Sequence, residues 1–321
     1  MGSGTVNSTR LGIICMLLGM FFISLNDMAI KSMSGSYSLH QLIFLRSFIG
    51  IGISLAILMY EGGLKLLNTG RPGLHILRGL LIVFANSAIY AAIVAMPLAM
   101  ANALYFVAPL FVTLLSIPIL GERVGVFRMG AIVVGFAGVL LMMAPQLTGT
   151  GDGLGWVVVL PVVAAAGYAL MSVLTRKLGQ TSRASALAIH MQFAFICVSI
   201  LVYLVAGDGR YLTEETSVSM TFLLRPWVWP ESGDWVIITG LGLLSGIVGY
   251  LMTQAYRLSR ASVVAPFEYT LLIYALIWGW TVFGEWPETS VFIGAAIVIA
   301  SGVFVFIREG RQSQRGPKRQ S

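Results

Sequence analysis

Four ionisable side chains, Asp27, Arg46, His190 and Glu268, stand inside long apolar runs. At the centre of a membrane helix such a group costs about 2.5–3.5 kcal/mol to insert, so each needs a partner or a task. Asp27 follows Asn26 and precedes Lys31 by four residues, which puts both charges on one helix face, roughly 6 Å apart. Arg46 falls seven residues into the next run and can neutralise the same carboxylate. Asp27 thus has two compatible readings: a structural network with Arg46 and Lys31, the latter snorkelling outward, or direct contact with a bound solute. Glu268 lies eight residues past Arg260, roughly 12 Å along a helix, with no basic residue three or four positions away. It can bind a cationic group, accept a proton, or stay a neutral acid bonded to a neighbouring helix. His190 reads as a packing histidine.

Uncharged polar residues recur three or four apart, hence on one helix face. Asn86 and Tyr90 do so, as do Asn102 and Tyr105, Tyr168 and Ser172, and Tyr250 and Gln254. Each pair either lines a cavity or supplies hydrogen bonds between helices, which contribute about 0.6 kcal/mol each. Pro109 and Pro266 remove a backbone donor and crowd the carbonyl four residues earlier, loosening the chain near Tyr105 and Ser262. That suits a hinge and equally a static kink. Gly135 with Gly138, and Gly242 with Gly246, read as close-packing positions, and Trp278 and Trp280 as lipid or helix contacts.

The elements that must position these groups follow from composition. The chain has 321 residues, 57 % hydrophobic and only 10 % charged, with mean hydropathy +0.88. A soluble domain cannot hide so much apolar surface. A span needs about 20 apolar residues, and ten runs meet that expectation: 11–31, 39–60, 73–95, 98–119, 125–145, 154–176, 185–206, 235–257, 262–283 and 289–308. The expected class is an all-α integral membrane protein of ten transmembrane helices. The alternation of a closed barrel is not seen.

A net charge of +7 could suggest nucleic acid, but the placement of the charges argues for topology instead. With the N-terminus inside, sixteen of the twenty Lys and Arg fall on the inner side. Lys31, Arg210 and Arg225 fall outside, and Arg46 within a span. This positive-inside bias places both termini in the cytoplasm of a cell inner membrane and implies no nucleic-acid partner. The first run is too long for a signal-peptide core. Cys15 and Cys197 lie within spans, so neither a disulfide framework nor a metal site is implied, and no cofactor is expected. In the long 207–234 connection, Pro226-Trp227-Val228-Trp229-Pro230 suits an interfacial anchor or a lid at the outer surface.

The chain also repeats itself. "AMANALYFVAPLFVTLLSIPILGERVGVFRMGAIVVGFAGVLLM" (99–142) parallels "SRASVVAPFEYTLLIYALIWGWTVFGEWPETSVFIGAAIVIASGVFVF" (259–306). Each has an Ala-rich start, an interior Pro, a Gly-Glu ending and a Gly-rich last run. "NDMAIK" near 26–31 pairs more loosely with "YALMSVLTRK" near 168–177. Five spans per repeat is odd, so the halves enter the membrane in opposite senses, Gly121-Glu122 inside and Gly284-Glu285 outside. Inverted repeats of this kind are typical of secondary transporters, with the substrate between the halves near the midplane. The expected division is a tail at 1–10, one repeat at 11–145, a second at 154–308 and a basic tail at 309–321.

With these two Gly-Glu ends and the "ANALYFVAPLFVTLLS" and "ASVVAPFEYTLLIYAL" helices, the sequence resembles the EamA type of the drug/metabolite transporter superfamily. The resemblance implies two inverted five-helix repeats, alternating access, and a cavity lined mainly by spans 1, 3, 4, 6, 8 and 9. "LNDMAIKSMSGSYSLHQLIFLR" is further similar to bacterial members linked to riboflavin uptake and S-adenosylmethionine transport. Riboflavin uptake is the first narrow expectation, and a cationic or zwitterionic metabolite such as S-adenosylmethionine or an amino acid the second. The partners are then a small metabolite and the bilayer, for a monomer or a homodimer. The lining residues expected are Glu268, Asp27, Asn26, Asn86, Tyr90, Asn102, Tyr105, Tyr168, Tyr250 and Gln254, with Arg46, Lys31, Pro109 and Pro266 structural or coupling.

An intramembrane enzyme is the rival class. "GTGD" (149–152) spells half of an aspartyl-protease signature, but no Tyr-Asp partner exists, so a proton-sharing dyad cannot form. Ser245 and His190 lack a supporting motif for nucleophilic hydrolysis. The sequence contains no Walker loop for an ATP-driven pump.

Overall fold

A computed structural model describes residues 3–68, 71–121, 125–148, 155–178, 184–213, 215–258 and 265–314. Within them the chain forms helices α1 (Ser3–Met33), α2 (Leu39–Glu61), α3 (Pro72–Ala95), α4 (Leu98–Tyr105), α5 (Ala108–Leu120) and α6 (Val126–Leu147). There follow α7 (Leu160–Leu178), α8 (Ala184–Ala206), α9 (Val218–Leu224), α10 (Asp234–Leu258), α11 (Thr270–Phe283) and α12 (Thr289–Gln314). Short 3-10 turns occupy Leu64–Leu67, Gly155–Val159 and Ala265–Tyr269. Glu122 and the 149–152 segment lie outside the described residues.

Seven segments among the described residues are long and apolar enough to cross a membrane: Arg10–Met33, Leu39–Glu61, Pro72–Ala95, Leu98–Leu120, Gly155–Thr175, Ser185–Ala206 and Asp234–Met252. Three shorter apolar helices, Met129–Pro145, Phe267–Phe283 and Thr289–Phe304, stand where the other expected spans fall. The protein is a multi-pass membrane protein. Its outer surface fits that solvent: Phe48, Val133, Leu204 and Val236 are all more than 60 % exposed, as side chains facing lipid would be. Inside, Met16, Ile30, Leu42, Ile93, Leu104 and Met142 are fully buried in one core.

The helices of the two halves interlock. α1 packs on α10, and α3 on α7; α5 packs on α7, and α11 on α1; α2 meets α8, and α6 meets α12. Small residues permit the closest approaches. A Cβ on Gly138 would fall 2.9 Å from the carbonyl oxygen of Gly294, and one on Gly242 would fall 2.5 Å from Ile49 Cβ.

The expected continuous span over 98–119 is interrupted. α4 ends at Tyr105 and α5 restarts at Ala108, with Pro109 in its first turn. There proline's missing N–H is no loss, because first-turn donors have no helical partner, while Tyr105 forgoes its usual acceptance from residue 109. The second half does likewise: a 3-10 turn at Ala265–Tyr269, containing Pro266, precedes α11. Both helices then close on a left-handed glycine, Gly121 at φ 70° and Gly284 at φ 66°. Only a residue without Cβ takes that conformation cheaply.

The 207–234 connection carries a helix of its own, α9, and is fastened to the start of the chain. Tyr37 Oη donates to Asp234 Oδ2 at 2.6 Å and accepts from Glu231 N at 3.0 Å. Gln41 Nε2 donates to the Val228 carbonyl and Val228 N donates back to Gln41 Oε1. Trp227 lies between the rings of Phe44, 5.5 Å away, and Tyr203, 4.8 Å away, while Trp229 is exposed.

Candidate functional site

α1, α2 and α3 bring four expected polar residues together. Asn26 Nδ2 donates to Tyr90 Oη at 2.7 Å. Arg46, entering from α2, donates through Nη1 to Asn26 Oδ1 at 3.2 Å and to Tyr90 Oη at 3.3 Å. Its Nη2 donates to Asn86 Oδ1 at 3.2 Å. The guanidinium also lies over the rings of Tyr90, at 5.4 Å, and Phe195, at 5.6 Å. The i,i+4 spacing of Asn86 and Tyr90 presents both to one arginine, so the helical period builds this clasp.

Asp27, next to Asn26, is buried beside Tyr90 and Asn102, with Arg46 acting on it across the cluster. Asn102 turns its amide back to Leu98 O at 3.1 Å. Tyr105, at the end of α4, is where the elements converge. It lies within electrostatic reach of Tyr168, Asp27, Tyr90 and Glu268, with its ring 5.8 Å from that of Tyr168. Glu268 occupies the 3-10 turn before α11 and also faces Tyr168 and Tyr269. Thus two carboxylates, one from each part of the chain, act through space on one tyrosine, and a buried arginine belongs to the neighbouring cluster. Such a constellation can hold a polar, charge-bearing organic molecule between aromatic walls.

The expectations for Lys31 are corrected. Lys31 does not pair with Asp27, nor does it snorkel outward: its ammonium is buried on Glu285 Oε1 at 2.5 Å and on Met96 O at 2.8 Å. Arg46 does act on Asp27 through space, as expected, while its hydrogen bonds go to Asn26, Tyr90 and Asn86. Tyr250 and Gln254 bond to each other at 2.7 Å, with Tyr250 exposed. His190 packs as expected, its ring 4.8 Å from that of His75 near the start of α3. Arg78, counted among the inner-side charges, is buried in α3 and donates to Leu187 O at 3.2 Å. Trp278 does make a helix contact, donating to Ser24 Oγ at 3.0 Å.

Sequence reasoning overlooked Glu285 as a partner and treated it only as a helix-end marker. The signal available was the repeat itself, which placed an acid after the terminal glycine of each half. His75 offered no such signal.

Comparison with known proteins places these features. Residues 10–144 match the EamA-like transporter family. The S-adenosylmethionine uptake transporter of Rickettsia prowazekii is 26 % identical over 93 % of this chain and 93 % of its own. The riboflavin transporter of Rhizobium johnstonii is 28 % identical over 79 % of this chain and 76 % of its own. A solved chain, described only as a crystal structure of a protein, shares 18 % identity with a TM-score of 0.62, over 96 % of this chain and 99 % of that one. That likeness concerns the fold alone. The match over residues 10–144 and these relatives support a transporter of a small metabolite rather than an enzyme.

Proposed function

We propose that the protein is a secondary carrier of a small organic metabolite that works by alternating access in a bacterial inner membrane. In this reading the three shorter apolar helices also cross, giving ten spans as two inverted repeats with cytoplasmic termini. The paired contacts support that symmetry. Exchanging the halves turns the α1–α10 contact into α7–α3 and the α5–α7 contact into α11–α1, and it maps α2–α8 and α6–α12 onto themselves. The matched proline breaks and left-handed glycine ends obey the same exchange. Lys31 and Glu285 then lie at the outer end and His75, Arg78 and His190 at the inner end.

The observation that carries the reading is the buried polar cluster of Asn26, Asp27, Arg46 and Tyr90, with Asp27 and Glu268, one from each half, both acting through space on Tyr105. Carboxylates in a low-dielectric surrounding favour a solute with a positive group, so a cationic or zwitterionic metabolite of the S-adenosylmethionine kind fits first. Riboflavin is the second reading, supported by the tyrosine and asparagine lining and by one set of relatives. Uptake and counterflow of both solutes in proteoliposomes, with wild-type protein and Glu268→Gln, separates them. The first reading expects saturable S-adenosylmethionine counterflow that falls at least tenfold in the variant. Saturable riboflavin uptake unchanged by the variant supports the second, and ohmic flux or bond cleavage refutes a carrier.

A further inference from the structure

We propose that Arg46 is an anion subsite, so that the carried solute presents an acid group, of the carboxylate class, as well as a positive one. This rests on the carrier reading and adds to it the second charge of the solute.

The case starts from how Arg46 is held. It is 6 % exposed, yet among the described residues its hydrogen-bond partners are neutral: Asn26 Oδ1, Tyr90 Oη and Asn86 Oδ1, at 3.2–3.3 Å. A guanidinium bound to a carboxylate uses two parallel bonds of about 2.7–2.9 Å. The three clasping bonds are longer and use three of the five N–H donors. They orient the group without neutralising it. Asp27 is near enough to act on Arg46 through space, yet among the described residues no ion pair joins them, and both have Asn26 and Tyr90, themselves joined at 2.7 Å, as neighbours.

A split pair of this kind is a poor structural device. Two buried charges lose their hydration, and only direct, hydrogen-bonded contact returns most of it. This chain does make direct contact where bracing is all that is needed, in the 2.5 Å pair of Lys31 and Glu285. Around Arg46 the hydrogen bonds go to neutral side chains instead. A solute with its acid on Arg46 and its positive group on Asp27 would complete both, while the faces of Tyr90 and Phe195 keep the guanidinium plane fixed.

The test uses purified full-length protein and ligands matched except for the acid: S-adenosylmethionine against its decarboxylated analogue, and methionine against methioninamide. Binding is read by thermal shift and competition, with riboflavin as a third probe. The subsite requires that an acid-bearing member bind about 30-fold tighter than its partner, a factor expected of charge-assisted hydrogen bonds. Arg46→Gln should reduce that preference below threefold, and Arg46→Lys, which keeps the charge but not the fork, should leave an intermediate value. The wild-type comparison stands even if a variant does not fold. Equal binding of both members, or a preference that survives Arg46→Gln, overturns the subsite and leaves the carrier reading intact. Binding of riboflavin alone also overturns it, again without harm to the carrier. A protein that neither binds nor transports any probe overturns both.

Discussion

Lys31 of α1 and Glu285, just beyond α11, form a direct ion pair of 2.5 Å in which the two side chains are 8 % and 24 % exposed. Each partner also holds backbone. Lys31 donates to the Met96 carbonyl and lies 5.0 Å from the Phe283 ring centre, and Glu285 Oε2 accepts from Leu98 N at 3.0 Å. That last bond occupies a donor that the start of α4 would otherwise leave without a helical partner, and it puts negative charge where the helix dipole favours it. One pair therefore ties α1, the α3–α4 turn and the end of α11 together.

A carrier that opens at this end must part Lys31 from Glu285. Lys31→Met leaves a partly buried carboxylate without its cation, a loss of about 3–5 kcal/mol when such pairs are fully buried. Even half of that moves a two-state equilibrium more than tenfold. A cysteine at Met100, 4 % exposed in α4, placed in a chain lacking Cys15 and Cys197, should then react at least tenfold faster with a membrane-impermeant maleimide. The exchange Lys31→Glu with Glu285→Lys should restore slow labelling. Unchanged labelling in Lys31→Met would mean that the pair braces one conformation only.

Helix packing gives a prediction free of any functional assumption. Gly138→Ala drives a Cβ to 2.9 Å from the Gly294 carbonyl oxygen, while Gly130→Ala in the same helix meets nothing within 4 Å. The first should destabilise by about 1–3 kcal/mol, as overpacking does. The second should be neutral or stabilise by about 0.5–1 kcal/mol, since alanine is the better helix former. Thermal unfolding of both variants in one detergent measures the difference. Equal midpoints would show that α6 and α12 are not in such close contact.

Much of this was legible in the sequence because bilayers impose simple rules. Run length located the helices, and the glycines at 138 and 242 were marked by their spacing alone. Asn86 and Tyr90 share a face by periodicity, so their joint approach to a third group followed. What could not be read was which third group. The i,i+4 rule assigned Lys31 to Asp27, but local spacing loses to a partner 254 residues away that a turn delivers directly to the ammonium. Long-range pairing depends on helix rotation, and a single sequence does not encode rotation in any local signal. Tyr250 and Gln254 do share a face, as their spacing implied, and bond to each other. Pro109 was read as a loosening of one long helix, whereas the chain uses it to begin a new one.

The Tyr90 hydroxyl accepts from both Asn26 and Arg46, so Tyr90→Phe removes one acceptor from two buried donors. A loss of about 1–3 kcal/mol of stability is expected, with the aromatic face under the guanidinium retained. If Arg46 serves only as a brace, solute affinity should change no more than the unfolding midpoint implies. If it holds a solute acid, discrimination between matched acid and amide ligands should fall severalfold in folded Tyr90→Phe protein. The matched-ligand ratio in this variant decides between the two.

Tyr37 offers a pH test outside the spans. Its hydrogen bond to the Asp234 carboxylate raises the phenol above its ordinary value near 10, because ionisation would set two negative oxygens 2.6 Å apart. An acid whose folded pKa is raised stabilises the docked loop below the unfolded value and loses that contribution as pH climbs through the folded one. The 207–234 connection should thus stay fastened through neutral pH and begin to release only in the alkaline range above pH about 10. Tyr37→Phe should release it at every pH, at a loss of about 1.5–3 kcal/mol for a bond to a charged acceptor. Cleavage by trypsin after the exposed Arg210 reports the release, and at neutral pH it should be about tenfold faster in Tyr37→Phe than in wild type. Equal rates would place the fastening elsewhere, on Gln41 and the ring stack around Trp227.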